Sequence, residues 1–107
     1  MTKVAVITGG VAGLGKGYVK QFTRDRFDVV FCDLNETAGE TVAAEFGALF
    51  VKVDVSKADE VESFFDQVKR DKGRLDVLIN NAGVIRGGFA TDARPLDTYH
   101  LITLLCC

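Results

Sequence analysis

The chain has 107 residues, of which 48% are apolar, 26% charged and 9% aromatic. Thirteen Lys/Arg against fifteen Asp/Glu leave a net charge of −2 with the signs interspersed, so no basic stripe offers itself to a nucleic acid backbone. No apolar run approaches the roughly 18–20 residues of a membrane span, and eight Phe with several Val/Ile/Leu runs argue against disorder. One domain over residues 1–107 is the expectation.

Val4-Ala5-Val6-Ile7 is a continuous apolar run bounded by Gly9-Gly10 and reads as a buried strand. Leu14, Tyr18 and Phe22 then recur every four residues beside Val19, giving one apolar helical face. Val29 to Cys32 is a second buried strand, and Asn35 an N-cap for a helix with Ala38, Val42 and Phe46 inward. Leu49 to Val51 with Val53 forms a third strand. Ser56 reads as the cap of the next helix, with Asp59 completing a capping box. Val61, Phe64, Phe65 and Val68 give that helix its inner face, Gly73 ends it, and Leu75 to Ile79 is the fourth strand.

Strands apolar on both faces, each separated from the next by about three helical turns, require cover on both sides. That means a parallel sheet of βαβ units, a doubly wound Rossmann-type α/β domain. Beyond Asn80-Asn81 the alternation degrades. Pro95 is suited to open a last helix with Leu96, Leu101, Ile102, Leu104 and Leu105 on its apolar side. The domain would then stop after the fourth strand and this helix, leaving Leu75 to Ile79 as an open edge that invites self-association.

The glycines are concentrated in Gly9 to Gly17 and Gly83 to Gly88. Thr8-Gly9-Gly10-Val11-Ala12-Gly13-Leu14-Gly15 lies between the first strand and the first helix, where open α/β sheets bind ligands. Glycines there turn the chain and clear side chains from a pyrophosphate, while free N–H groups opening the helix meet its charge. Two readings compete. Gly10 through Lys16 fits G-x-x-x-x-G-K of phosphate-loop hydrolases, but the Mg²⁺-holding Ser/Thr position is Gly17. A dinucleotide loop instead predicts an acid at the end of the second strand, and Asp33 stands there, 24 residues beyond Gly9. The dinucleotide reading is favoured. Asp33 would accept hydrogen bonds from the ribose hydroxyls of NAD and repel the 2′-phosphate of NADP.

Thr8-Gly9-x-x-x-Gly13-x-Gly15, then Asp33, Asp54-Val55 and Asn80-Asn81-Ala82-Gly83, resembles the short-chain dehydrogenase/reductase family over residues 3 to about 85; the tail 86–107 matches poorly. The resemblance implies that Gly9, Gly13, Leu14 and Gly15 surround the pyrophosphate and adenosine ribose, and that Asp33 binds the ribose hydroxyls. It further implies that Asp54 and Val55 meet the adenine edge, and that Asn81 and Gly83 line the cleft and brace the sheet. The implied activity is NAD(H)-dependent hydride transfer on a small alcohol/ketone substrate, by an enzyme that forms oligomers.

The resemblance also implies a catalytic Ser and a Tyr acid/base with a Lys four residues on. Tyr18 is followed at that spacing by Phe22 and Tyr99 by Thr103, so both read as packing residues and no catalytic residue is assigned. The implied reading is the cofactor-binding half of such an enzyme, truncated or shifted in frame near its end. The alternative is a non-catalytic NAD-binding or subunit-pairing module. His100 reads as a surface or packing residue, and Cys106-Cys107 lack the further ligands a metal site needs. Without a signal-peptide pattern or disulfide framework the expected compartment is the cytoplasm, which makes the sequon Asn35-Glu36-Thr37 a coincidence.

Overall fold

The computed structural model describes residues 2–11, 13–81 and, in its backbone, 100–103. Elements follow in the order β1 (Val4–Thr8), α1 (Gly13–Arg24), β2 (Asp28–Asp33), α2 (Glu36–Phe46), β3 (Leu49–Lys52), α3 (Ala58–Lys72), β4 (Val77–Asn80) and β5 (His100–Thr103). The strands form one sheet in the order β3-β2-β1-β4-β5. All four pairings are parallel. This is the doubly wound architecture expected from the alternation of apolar strands and amphipathic helices.

Both faces of the sheet are covered. On one side Ala5, Ile7, Val29, Phe31 and Ile79 pack with Val19 of α1 and Val42 of α2; on the other, Val4, Val6, Val30, Cys32 and Leu78 pack with Val61, Phe64, Phe65 and Val68 of α3. Every residue of β1 is buried, as a central strand requires. Gly39 of α2 brings that helix against the Phe50 ring, which occupies the space a Cβ would need. The turn from α1 to β2 places Arg26 at φ 66°, the left-handed region.

Three local expectations give way. Residues 100–103 form a strand beside β4 instead of a helix, with Leu78↔Leu101 and Ile79↔Ile102 in register. Pairing there satisfies backbone N–H and C=O groups that an open β4 edge would leave bare; the fourth strand is therefore not an edge. The remainder of the expected helix lies outside the described residues. Ser56 does not cap α3: its hydroxyl donates to Asp54 Oδ1 at 2.6 Å, and the N-cap is Lys57, with no side-chain cap bond. Leu14 is 59% exposed and leaves the apolar face of α1 to Val19, Tyr18 and Phe22. The other boundaries hold within a residue or two, with Asn35 capping α2 through Ala38 N–H and Gly47 and Gly73 closing α2 and α3 in the left-handed conformation.

The N-terminal ends of the strands carry a paired set of charges. Arg74 donates to both carboxylate oxygens of Asp76, at 2.6 and 2.8 Å, and Asp76 Oδ2 also accepts the Val4 N–H at 2.7 Å. Lys72 Nζ pairs with Asp28 at 2.9 Å. The Arg74 guanidinium and the Val4 N–H hold the Asp76 carboxyl below its ordinary range, against a smaller opposing effect of burial.

Candidate functional site

Because all strands run parallel, their C-terminal ends lie on one side of the molecule. Thr8 pairs with Cys32 on β2 and with Asn80 on β4, so Gly9, Asp33 and Asn81 stand one residue beyond a single row. Neighbouring strands are about 4.8 Å apart. Three of the residues singled out from sequence are thereby brought side by side, at the strand ends where α/β sheets bind ligands.

The glycine loop is held by backbone. Gly9 turns at φ 73°, and the N–H groups of Gly9 and Gly10 both donate to the carbonyl of Cys32, at 2.8 and 3.3 Å. Gly13 opens α1 at φ 57°, a conformation that L side chains resist. Gly15 is buried where the loop folds back: a Cβ there would run into Gly9 O and come within 2.6 Å of Asn81 Nδ2. Asn81 Nδ2 donates to Gly9 O at 3.0 Å and so ties the end of β4 to the loop. Its other amide atom, Oδ1, is buried without a hydrogen-bond partner among the described residues.

Asp33 ends β2 half-buried. Its Oδ1 accepts the Asn35 N–H at 3.1 Å, and Oδ2 has no partner among the described residues. Leu34, the next residue, is 59% exposed. Asp54 Oδ1 accepts both the Ser56 hydroxyl and the Ser56 N–H, which hold its carboxyl below the ordinary range, while its own N–H donates to Glu60 Oε1. Val55 packs against the α3-side core. Gly83 lies outside the described residues.

The Cys32 thiol faces the core beneath the loop, and burial pushes it up to about 12, aided by the Asp33 charge and opposed by the Gly9 N–H. A thiol kept so firmly protonated is a packing group, not a nucleophile. Lys16, the lysine of the phosphate-loop reading, lies 3.7 Å from Glu45 of α2. Tyr18 packs on the α1 side of the core, as its spacing indicates. No cluster of three or more metal-ligating side chains occurs among the described residues, and among them no helix is long and apolar enough to cross a membrane.

Sequence reasoning missed three features here. The unpartnered Asn81 Oδ1 needs the fold to be seen. Leu34 carried no motif of its own. Gly10 read as part of the turn, whereas its contact lies with Phe31 of β2, as taken up below.

Residues 3–104 match the short chain dehydrogenase family. The chain is 44% identical over 82 residues to the short-chain dehydrogenase reductase ATA1 of Arabidopsis thaliana, covering 77% of this chain and 30% of that protein. It is 38% identical over 104 residues to the 3-beta-hydroxysteroid dehydrogenase of Comamonas testosteroni, covering 95% of this chain and 41% of that one. Among solved structures, a 3-ketoacyl-(acyl-carrier-protein) reductase from Brucella melitensis, complexed with NADH, superposes with a TM-score of 0.72 at 38% identity, over 77% of this chain and 34% of its own. The chain thus spans between 30% and 41% of the length of these relatives. With the glycine loop, the acid that ends β2 and the Asn81 tie in one row, the chain belongs to the short-chain dehydrogenase/reductase family.

Proposed function

We propose that this chain is a single partial dinucleotide-binding domain that holds NAD(H) across the open end of the sheet. It would serve hydride transfer between the nicotinamide and a small alcohol/ketone pair in the cytoplasm. The observation that carries the reading is the row Gly9–Asp33–Asn81, where a glycine-rich loop lies beside an acid with one oxygen unpartnered among the described residues. The donor set fits the cofactor: Gly15 permits close approach, the N–H groups opening α1 face a pyrophosphate, and the orphaned Asn81 Oδ1 offers an acceptor nearby. Bound nicotinamide supplies a hydride acceptor or donor.

The chain's own residues bind and orient. Gly9, Gly13, Leu14 and Gly15 would bracket the pyrophosphate and adenosine ribose. Asp33 Oδ2 would accept from the ribose hydroxyls, and its charge would oppose a 2′-phosphate, favouring NAD over NADP. Asp54 and Val55 would meet the adenine, with Asp54 acting through Oδ2 since Ser56 engages Oδ1. Asn81 and Gly83 would line the cleft. No proton is moved by these residues, because neither Tyr has a Lys four positions on.

A second reading has the chain bind NAD, or pair with another subunit, without turnover. Titration with NADH and NADPH tests the common part: NADH quenches and binds, NADPH binds at least about tenfold more weakly, and Asp33→Arg reverses the order. Equal affinity for both, or none, overturns it. Oxidation of NADH with a panel of small ketones then separates the two readings. Oligomer formation, for which the family resemblance and not an open β4 edge is the ground, is read by light scattering. Mg²⁺-dependent ATP binding lost in Lys16→Ala, with indifference to NADH, would instead support the phosphate-loop reading.

A further inference from the structure

Gly10 is buried, yet it is absent from the glycines with a left-handed backbone, which among the described residues are Gly9, Gly13, Gly47 and Gly73. Conformational freedom therefore does not explain it. Its neighbour does: a Cβ at residue 10 would lie 2.5 Å from Phe31 Cδ2 and 2.9 Å from both Cβ and Cγ of Phe31. Real Cβ atoms do not approach carbon so closely, so loop or ring would have to move. Phe31 is fully buried at the centre of β2, and its ring lies 5.4 Å from that of Phe50 at an angle of 45°. Phe50 in turn fills the space beside Gly39 of α2. The ring at 31 has nowhere to retreat.

We propose that Phe31 is a positioning residue for the glycine loop: its ring is the stop against which Gly10 rests. The next residue, Cys32, pulls the loop onto that stop through its carbonyl, which accepts the Gly9 and Gly10 N–H groups at 2.8 and 3.3 Å. An attractive contact and a repulsive one from adjacent residues of one strand fix the height of the loop more narrowly than either alone. Phe50 and Gly39 buttress the ring from behind, so the seat of α2 bears on the loop although neither residue belongs to the site. That the loop so positioned serves NAD(H) rests on the reading above.

The test compares Gly10→Ala, Phe31→Ala and the double variant by two measurements on the whole chain. The first is NADH affinity. The second, made without cofactor, is amide exchange at residues 9 and 10 relative to Val6 and Val30. Gly10→Ala is expected to weaken NADH binding about tenfold and to speed exchange at 9 and 10 by a similar factor, leaving Val6 and Val30 unchanged. Phe31→Ala speeds exchange at the same two amides by about threefold more than at Val6 and Val30. The double variant with Phe31→Ala recovers part of the Gly10→Ala loss, because alanine removes Cγ and Cδ2, two of the three clashing atoms. A core residue with a merely structural role would raise exchange throughout β1 and β2 together. Where Phe31→Ala lowers stability too far, amide exchange in Gly10→Ala still decides, since it needs no change at residue 31.

Unchanged loop exchange in Gly10→Ala, or single effects that simply multiply in the double variant, would overturn the proposal. Absence of NADH binding by the unaltered chain would count against the proposed function instead, and the exchange measurement would still decide the role of Phe31.

Discussion

At the N-terminal ends of the strands, both oxygens of Asp76 are engaged by Arg74, one of them also by the Val4 N–H, and Asp28 is held by Lys72. At the C-terminal ends, among the described residues, Asn81 Oδ1 just past β4 is buried and unpartnered, Oδ2 of Asp33 at the end of β2 accepts no hydrogen bond, and the adjacent Leu34 is 59% exposed. The same sheet thus closes its polar accounts at one end and leaves them open at the other. Buried polar atoms are nearly always satisfied in folded proteins, and the one buried orphan among the described residues falls at the end where the proposed ligand would lie.

The contrast breaks if changes at the two ends have the same effect. The largest expected effect is that of Gly15→Ala. Its Cβ would meet Gly9 O and the Asn81 amide, both fixed, so the loop must open; NADH affinity should fall by more than about a hundredfold. Overpacking should also cost about 1–3 kcal/mol in denaturant unfolding. Retained affinity would mean that the loop is not the binding element.

Next comes Asp33→Ser. Losing charge-assisted bonds to the ribose should weaken NADH about 10- to 100-fold, with the melting temperature unchanged and discrimination against NADPH lost. Asp76→Asn should do the converse: about 1 kcal/mol of stability lost, as Arg74 and the Val4 N–H lose their charged acceptor, with NADH affinity intact.

The sign of the pH dependence follows from the same group. The Asp76 carboxyl lies below its ordinary value of 3.8 in the folded chain, so it binds a proton more weakly there than in the unfolded chain. Its stabilisation is complete above the ordinary carboxylate range and is lost as pH falls through the depressed folded value. Melting temperatures measured from pH 5 down to pH 2 should therefore fall less steeply in Asp76→Asn than in the unaltered chain. The smallest effect concerns Cys32. With its thiol pushed up to about 12, alkylation at pH 8 followed by peptide mass spectrometry should leave it unmodified until the protein unfolds. Labelling well below the global transition would show that the glycine-loop end opens by itself.

The strands, the helices after them and the row of site residues were legible because each rests on a local pattern. Val4 to Ile7 and Val29 to Cys32 are apolar throughout, and Gly9, Gly13 and Gly15 lie where a strand must turn into a helix. What escaped depends on partners distant in sequence or on competition between near neighbours. Ser56 has the chemistry of a cap, but Asp54 two residues earlier offers its hydroxyl a charged acceptor. Residues 101–103 suit an apolar helix face as well as a strand, and only the free edge of β4 decides between them. Asp28 and Asp76 look like solvated charges until Lys72 and Arg74 are seen beside them. Gly10 looks like any turn glycine until the Phe31 ring is found where its side chain would be.

The hold of Cys32 on the loop has one further consequence. Both loop N–H groups end on its carbonyl oxygen, an atom every amino acid carries. No substitution at residue 32 can delete that anchor; a new side chain can only disturb it by its bulk. A single-residue insertion or deletion within β2 would instead carry the carbonyl out of reach and turn every side chain of the strand to the opposite face. The feature that holds this site together is therefore recorded in the length of the chain between Asp28 and Asp33, where a comparison of residue identities alone would never detect it.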